Sequence, residues 1–266
     1  MRLCSIASGS SGNCIYAGSD STHILVDVGI SGKKTEEGLR SLGLTMRDID
    51  GILITHEHTD HIAGLGVLVR KYQTPVYATG GTIEAIKNTS CVGTIAEELF
   101  HPVYADEKVI IKDLVCNPMT ISHDAAEPVA YRICHGKKKI GIVTDLGTYN
   151  DYTVECLKGV NALVLEANHD VNMLQVGPYP YYLKQRILGE RGHLSNERAG
   201  QLLCRLLHPQ LQAVVLGHLS KDNNLPELAY ETVRVEVTMS GGRGLAAEIP
   251  LQVAQRSGVS PVVHIA

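Results

Sequence analysis

The chain has 266 residues, 44% of them hydrophobic and 20% charged, which excludes a disordered or fibrous protein and leaves enough chain to bury a core without covalent staples. Lys+Arg is 24 against Asp+Glu 28, a net charge of −4, so binding of nucleic acid by global charge is excluded, though a local basic groove is not. No apolar run approaches the roughly 18 residues of a membrane helix, MRLCSIASGSSGNC carries no secretory signal, and seven cysteines without CxxC spacing read as reduced thiols, so a cytoplasmic protein with no membrane association is expected.

Arg2–Ala7, Cys14–Ala17 and His23–Val28 read as strands, with Ser8–Asn13 as the turn after the first. Thr35–Leu42 is a short helix. Gly51–Thr55 is an apolar, β-branched strand, and Ile62–Lys71 carries apolar residues at helical spacing. Strands follow at Pro75–Ala78, Lys108–Ile111, Asn117–Ser122, Val129–Cys134 and Lys139–Thr144, the last two joined by a hairpin tip at 135–138. Helices Tyr149–Leu157, Tyr181–Leu188, Ser195–Leu207 and Leu225–Val233 then alternate with buried strands Ala162–Glu166 and Leu211–Gly217. Ser195 is the expected N-cap of its helix. Short strands are expected at Ala246–Ile249 and Val262–Ile265. Strands in runs, with helices between and after them, favour stacked mixed sheets over a doubly wound sheet. No linker or repeat divides the chain, which reads as a single domain over 1–266.

Chemistry concentrates in Thr55-His56-Glu57-His58-Thr59-Asp60-His61, four potential ligands within six residues at the end of a buried strand. Three imidazoles and a carboxylate suit Zn, Mn or Fe. On a turn, His56 and His58 can converge on one ion, and Asp60 and His61 on a second. The plain alternative is a solvated His-rich loop. Four ligands do not complete two metal sites. His123, Asp145 and His218 each directly follow a hydrophobic run, where a side chain leaves a sheet edge. Singly, each reads as a hydrogen-bonded loop residue; together with the His-rich loop they complete a pair of sites.

In this order and spacing these residues resemble the metallo-β-lactamase superfamily. The resemblance implies an α/β (α+β) fold, a four-layer αββα sandwich of two mixed sheets flanked by helices. It also implies two divalent metal ions (Zn, Mn or Fe), with His56, His58 and His123 on the first, Asp60, His61 and His218 on the second, and Asp145 bridging. Asp27 is implied as a structural brace rather than a ligand. Asp145 in place of a Cys ligand resembles the hydrolase and nuclease branches.

The segments Ser8–Asn13, Leu165–Asp170, Gly177–Pro180, Gly192–Asn196 and Gly217–Ser220 further resemble the YycJ (WalJ)-type bacterial family, related to RNase Z-like phosphodiesterases. That resemblance implies a metal-dependent phosphodiesterase acting as a 5′-to-3′ DNA exonuclease, with nucleic acid as partner, DNA rather than RNA, and a hydroxide held between the ions as nucleophile. Asp60 would also orient that nucleophile. Gly192-His193-Leu194-Ser195 and Glu166 look like the catalytic His segment of RNase Z-like enzymes and the Glu that holds it, although Leu194 interrupts the match. A small-molecule hydrolase for a cyclic phosphodiester, thioester or lactone is the alternative on the same fold, and a di-iron redox protein a further one. His169 reads as structural. Lys137–Lys139, Lys184, Arg186, Arg191 and Arg198 read as solvated charges unless they line one groove. With no Trp and one Phe, a broad aromatic platform for bases is not expected. Metal identity and protein partners stay open.

Overall fold

The computed structural model describes residues 1–240 and 250–266, so the strand expected at Ala246–Ile249 lies outside the described residues. Its fourteen strands belong to two mixed sheets of seven strands each, flanked by helices. The chain divides into two compact units, one of Met1–Thr120, Ala125–Lys138 and Gln255–Ala266, the other of Ile121–Asp124 and Lys139–Ala254.

The first unit contains β1 (Arg2–Ala7), β2 (Cys14–Gly18), β3 (His23–Val26), β4 (Gly51–Leu53), β5 (Val76–Thr79), β6 (Phe100–Val103) and the C-terminal β14 (Val263–His264), in the order β14-β1-β2-β3-β4-β5-β6. Short turns make β1, β2 and β3 antiparallel, whereas β3 through β6 are parallel. Parallel neighbours need long crossovers. These carry α1 (Gly32–Ser41), α2 (Thr59–Ile62), α3 (Leu65–Tyr72) and α4 (Gly80–Lys87). Helix α1 starts three residues earlier than its periodicity suggests, because the Ser31 hydroxyl accepts from Lys34 N–H and caps it. Tyr16, Leu25, Ile52, Ile54, Leu65, Leu68 and Val76 form the heart of the core.

The same unit holds the antiparallel run β7 (Val109–Ile111), β8 (Leu114–Thr120) and β9 (Val129–His135). Its β7–β8 turn is tied to the β2–β3 turn by one carboxylate. Asp113 accepts hydrogen bonds from the Ser19, Ser21 and Thr22 hydroxyls.

In the second unit β10 (Lys138–Val143), β11 (Ala162–Glu166), β12 (Ala213–Gly217) and β13 (Leu251–Val253) run parallel. Up to Glu166, ALVLE is a continuous apolar run, as is AVVLG, because both strands are buried along their whole length. Five helices accompany them: α5 (Asp151–Leu157), α6 (Val171–Val176), α7 (Tyr181–Leu188), α8 (Asn196–Leu206) and α9 (Pro226–Met239). Ser195 caps α8 through Arg198 N–H, as its sequence suggests. The Glu166↔Gly217 register brings Glu166 level with the residue before His218.

No helix among the described residues is long and apolar enough to cross a membrane. The hydroxyls around Asp113, with Thr22 the strongest, hold its carboxyl at about 2. A carboxyl depressed on folding stabilises above its unfolded pKa of about 3.9 and loses that contribution as pH falls toward its folded value. Asp113→Asn should therefore lower Tm by about 2 °C at pH 7, a modest shift for a partly exposed group. The gap should close between about pH 4 and pH 2 in thermal melts of both proteins.

Candidate metal centre

In the first unit the parallel register of β3 and β4 sets Asp27 and Thr55 at one carboxyl edge, just past the Val26↔Leu53 pair. Asp27 is fully buried and its carboxylate accepts from Thr55 N–H (2.9 Å), the Thr55 hydroxyl (2.8 Å) and His61 Nδ1–H (2.8 Å). A carboxylate has only acceptors, so His61 carries its ring proton on Nδ1 and presents a lone pair at Nε2. That is how a ligand imidazole is usually oriented. Asn13 Nδ2 lies 3.1 Å from this Nε2 and also donates to the Asp60 carbonyl. The serines and glycines before it fold into a turn in which Asn13 Oδ1 accepts from Gly9 N–H.

His56 Nε2 and His58 Nδ1 face each other at 3.0 Å, and the His56 and His61 rings lie 4.1 Å apart. Two nitrogens each about 2.0–2.1 Å from a tetrahedral ion sit roughly 3.3 Å apart, so the His56–His58 spacing fits two ligands of one ion. Glu57 turns away and accepts from Ala126 N–H, which leaves it outside the donor set.

In the second unit Asp145, Glu166 and His218 gather at the carboxyl edge of β10, β11 and β12. Asp145, Glu166, His193 and His218 each offer a ligand atom, and these atoms lie within 4.8 Å of one another. Around Asp145 Oδ1 stand His218 Nε2 at 3.5 Å, His193 Nδ1 at 3.6 Å and His123 Nε2 at 3.7 Å. All three are too long for hydrogen bonds, and those of His218 Nε2 and His123 Nε2 are close to the spacing of ligand atoms round an ion.

Glu166 organises this edge. It is fully buried, and its Oε1 accepts from His193 Nδ1–H and His218 Nδ1–H, both at 2.8 Å. Its Oε2 accepts from Leu146 N–H (2.7 Å) and Leu194 N–H (3.1 Å). Burial pushes its pKa up, but the charge and hydrogen bonds of His193 and His218 outweigh this and hold it at about 2. Both imidazoles therefore keep Nε2 available. The His193 side chain is 20% exposed and can meet a substrate, whereas His218 is buried. His123 is fixed by its Nδ1 on the Gly192 carbonyl (3.1 Å), and its own carbonyl accepts from Arg191.

Asp27, Asp145 and His218 have φ of 59°, 58° and 54°. Few non-glycine residues adopt this left-handed region, and such strain concentrates where side chains have work to do.

Residues 22–219 match the family described as the beta-lactamase superfamily domain. Over 245 residues the chain is 41% identical to exodeoxyribonuclease YycJ of Bacillus anthracis, covering 92% of each chain. The chain belongs to this exodeoxyribonuclease family of the metallo-β-lactamase superfamily. It is also 40% identical to exodeoxyribonuclease WalJ of Streptococcus pneumoniae serotype 2 over 228 residues, 86% of this chain and 85% of the relative. The fold agrees: the metallo-β-lactamase fold protein YhfI of Bacillus subtilis aligns with a TM-score of 0.71 at 16% identity, over 97% of this chain and 98% of that one.

For a YycJ/WalJ family member, two further features were hidden in the sequence. Asn168, Asn196 and Asn224 form a buried amide network beneath the Glu166 edge. Asn168 Nδ2 donates to the His218 carbonyl, and Asn224 donates to the Ala167 and Asn168 carbonyls and to Asn196. Three isolated asparagines give no pattern until β11, α8 and the loop after β12 are neighbours. His169 is buried, and its main chain receives Asn196 N–H. Burial pushes its pKa down to about 4, so it is neutral.

Gly29 has no room for a side chain. A Cβ there would stand 1.6 Å from the Asp60 carbonyl oxygen. Gly29→Ala should cost about 1–3 kcal/mol in denaturant unfolding and reduce metal uptake by displacing the Asp60 loop. Glu166→Ala strips four donors of their buried acceptor and should destabilise the protein by about 3–5 kcal/mol. Glu166→Gln keeps the shape but not the charge, and should lower kcat/KM on a phosphodiester about 10–100-fold, read by steady-state kinetics.

Proposed function

We propose that this chain is a two-metal phosphodiesterase acting on nucleic acid, specifically a 5′-to-3′ DNA exonuclease. The observation that carries the reading is the set of imidazoles whose Nδ1–H is fixed on a buried carboxylate, on Asp27 in one unit and Glu166 in the other. Such a donor set suits divalent Zn, Mn or Fe. His56, His58 and His123 would hold one ion, and Asp60, His61 and His218 the other, with Asp145 shared. The names of the two exodeoxyribonuclease relatives support a DNA substrate.

When bound, the ions would supply Lewis acidity toward the phosphoryl oxygens and lower the pKa of a water toward about 7. Asp60 accepts a hydrogen bond from the attacking water and fixes its direction. The water gives up one proton to solvent, and its oxygen bonds to phosphorus in line as the ester P–O bond breaks. His193, with Nδ1–H on Glu166, delivers a proton from Nε2 to the leaving oxygen. The Glu166 anion keeps that imidazole oriented and stabilises its protonated form.

The deciding experiment is a nuclease time course on end-labelled single- and double-stranded DNA and a structured RNA. Metal-stripped protein re-loaded with Zn²⁺ or Mn²⁺ should release nucleotides stepwise from the 5′ end of DNA, and chelation should stop it. Asp60→Ala and His61→Ala should lose at least 10²-fold in rate while melting cooperatively. Full activity in either variant overturns the two-metal assignment, and cleavage of RNA alone overturns the DNA reading.

A further inference from the structure

The segment between α6 and His193 is not explained by packing. Helix α7 has no buried residue. Tyr181 and Tyr182 at its start are 76% and 75% exposed, and Val176 before it is 87% exposed. Yet the segment is firmly held. Lys184 Nζ donates to the Gln175 and Gly177 carbonyls, both at 2.7 Å, and closes the Gly177-Pro178-Tyr179-Pro180 bend. Arg186 pairs with Asp124, next to His123. Ser122 donates to the Glu190 carbonyl, and Arg191 to that of His123. On the other side Tyr179 Oη donates to Asp222 (2.9 Å), in the loop that follows His218. The arm thus stands on the two loops that carry His123 and His218, and it lifts two adjacent phenol rings into solvent.

We infer that this arm, Gly177–Gly192, binds the unpaired end of a nucleic-acid strand by stacking its bases on Tyr181 and Tyr182. The inference rests on the phosphodiesterase reading and specifies how the substrate is held. Exposed rings on an arm bonded to the loops of His123 and His218 suit bases, because stacking is tolerant of sequence and every base has a π face. Lys184 and Arg191 bond to carbonyls and so keep their positive charge, which suits a polyanion. A broad aromatic platform is absent from the composition, but two rings are enough for one or two bases.

The test uses the full-length, Mn²⁺-loaded protein with Tyr181 and Tyr182 replaced together, once by Ala and once by Phe. Three readings are taken: KM for a single-stranded DNA 12-mer, turnover of bis-p-nitrophenyl phosphate, and binding of a labelled, cleavage-resistant phosphorothioate 12-mer by anisotropy. The Ala pair should raise KM and Kd for the 12-mers about tenfold or more. Turnover of the small phosphodiester should stay within twofold, and the Phe pair should restore binding. Unchanged 12-mer KM and Kd in the Ala pair overturns the inference, as does a Phe pair as weak as the Ala pair. A parallel fall in small-phosphodiester turnover also overturns it, since the arm would then be a support of the centre. If the wild type binds the phosphorothioate but cleaves no polymer, the exonuclease reading falls while the arm's role stands.

Discussion

A single buried carboxylate sets the chemistry of the second unit. Glu166 lies at the end of a fully buried strand, where an ion without partners would unfold the edge. Four donors prevent this: two imidazole N–H groups and two main-chain N–H groups. The same four bonds fix the tautomer of His193 and His218, orient both rings, and tie the loops after β10 and before α8 to the sheet. Solvation of one charge and orientation of both imidazoles are therefore one interaction.

The first unit solves the same problem with Asp27. It too follows a parallel strand, is buried, and receives an imidazole Nδ1–H along with the N–H and hydroxyl of the next strand's Thr55. Parallel strands explain why. Their carboxyl ends fall on one edge, so residues far apart in sequence arrive together. The side chains then need only a common acceptor to agree on direction. The His-rich loop adds a tighter demand, because Gly29 must let the Asp60 carbonyl approach its Cα.

Much of this was readable from residues. HxHxDH announces itself by composition, and His123, Asp145 and His218 by following apolar runs. The brace at Asp27 and the Glu166–His193 pairing came from family resemblance. That Glu166 also holds His218 depends on β11 and β12 being parallel neighbours in a given register, which one strand's residues do not reveal. Local signals misled where tertiary context overrode them. Gly80-Gly81 argues against a helix, yet Thr79 caps α4 there. Pro102 argues against a strand, yet β6 is the last in its sheet's order, where a missing N–H is tolerated. Helix α6 is six residues long, too short for a period to show, and only its Asp170 cap marks it.

The left-handed backbone at Asp27, Asp145 and His218 constrains redesign. Glycine would relax the backbone at each position, but at Asp27 it would also strip three buried donors of their acceptor. Such a site also offers engineers a conflict: a glycine that eases the backbone at Asp145 or His218 removes a side chain of the proposed metal centre.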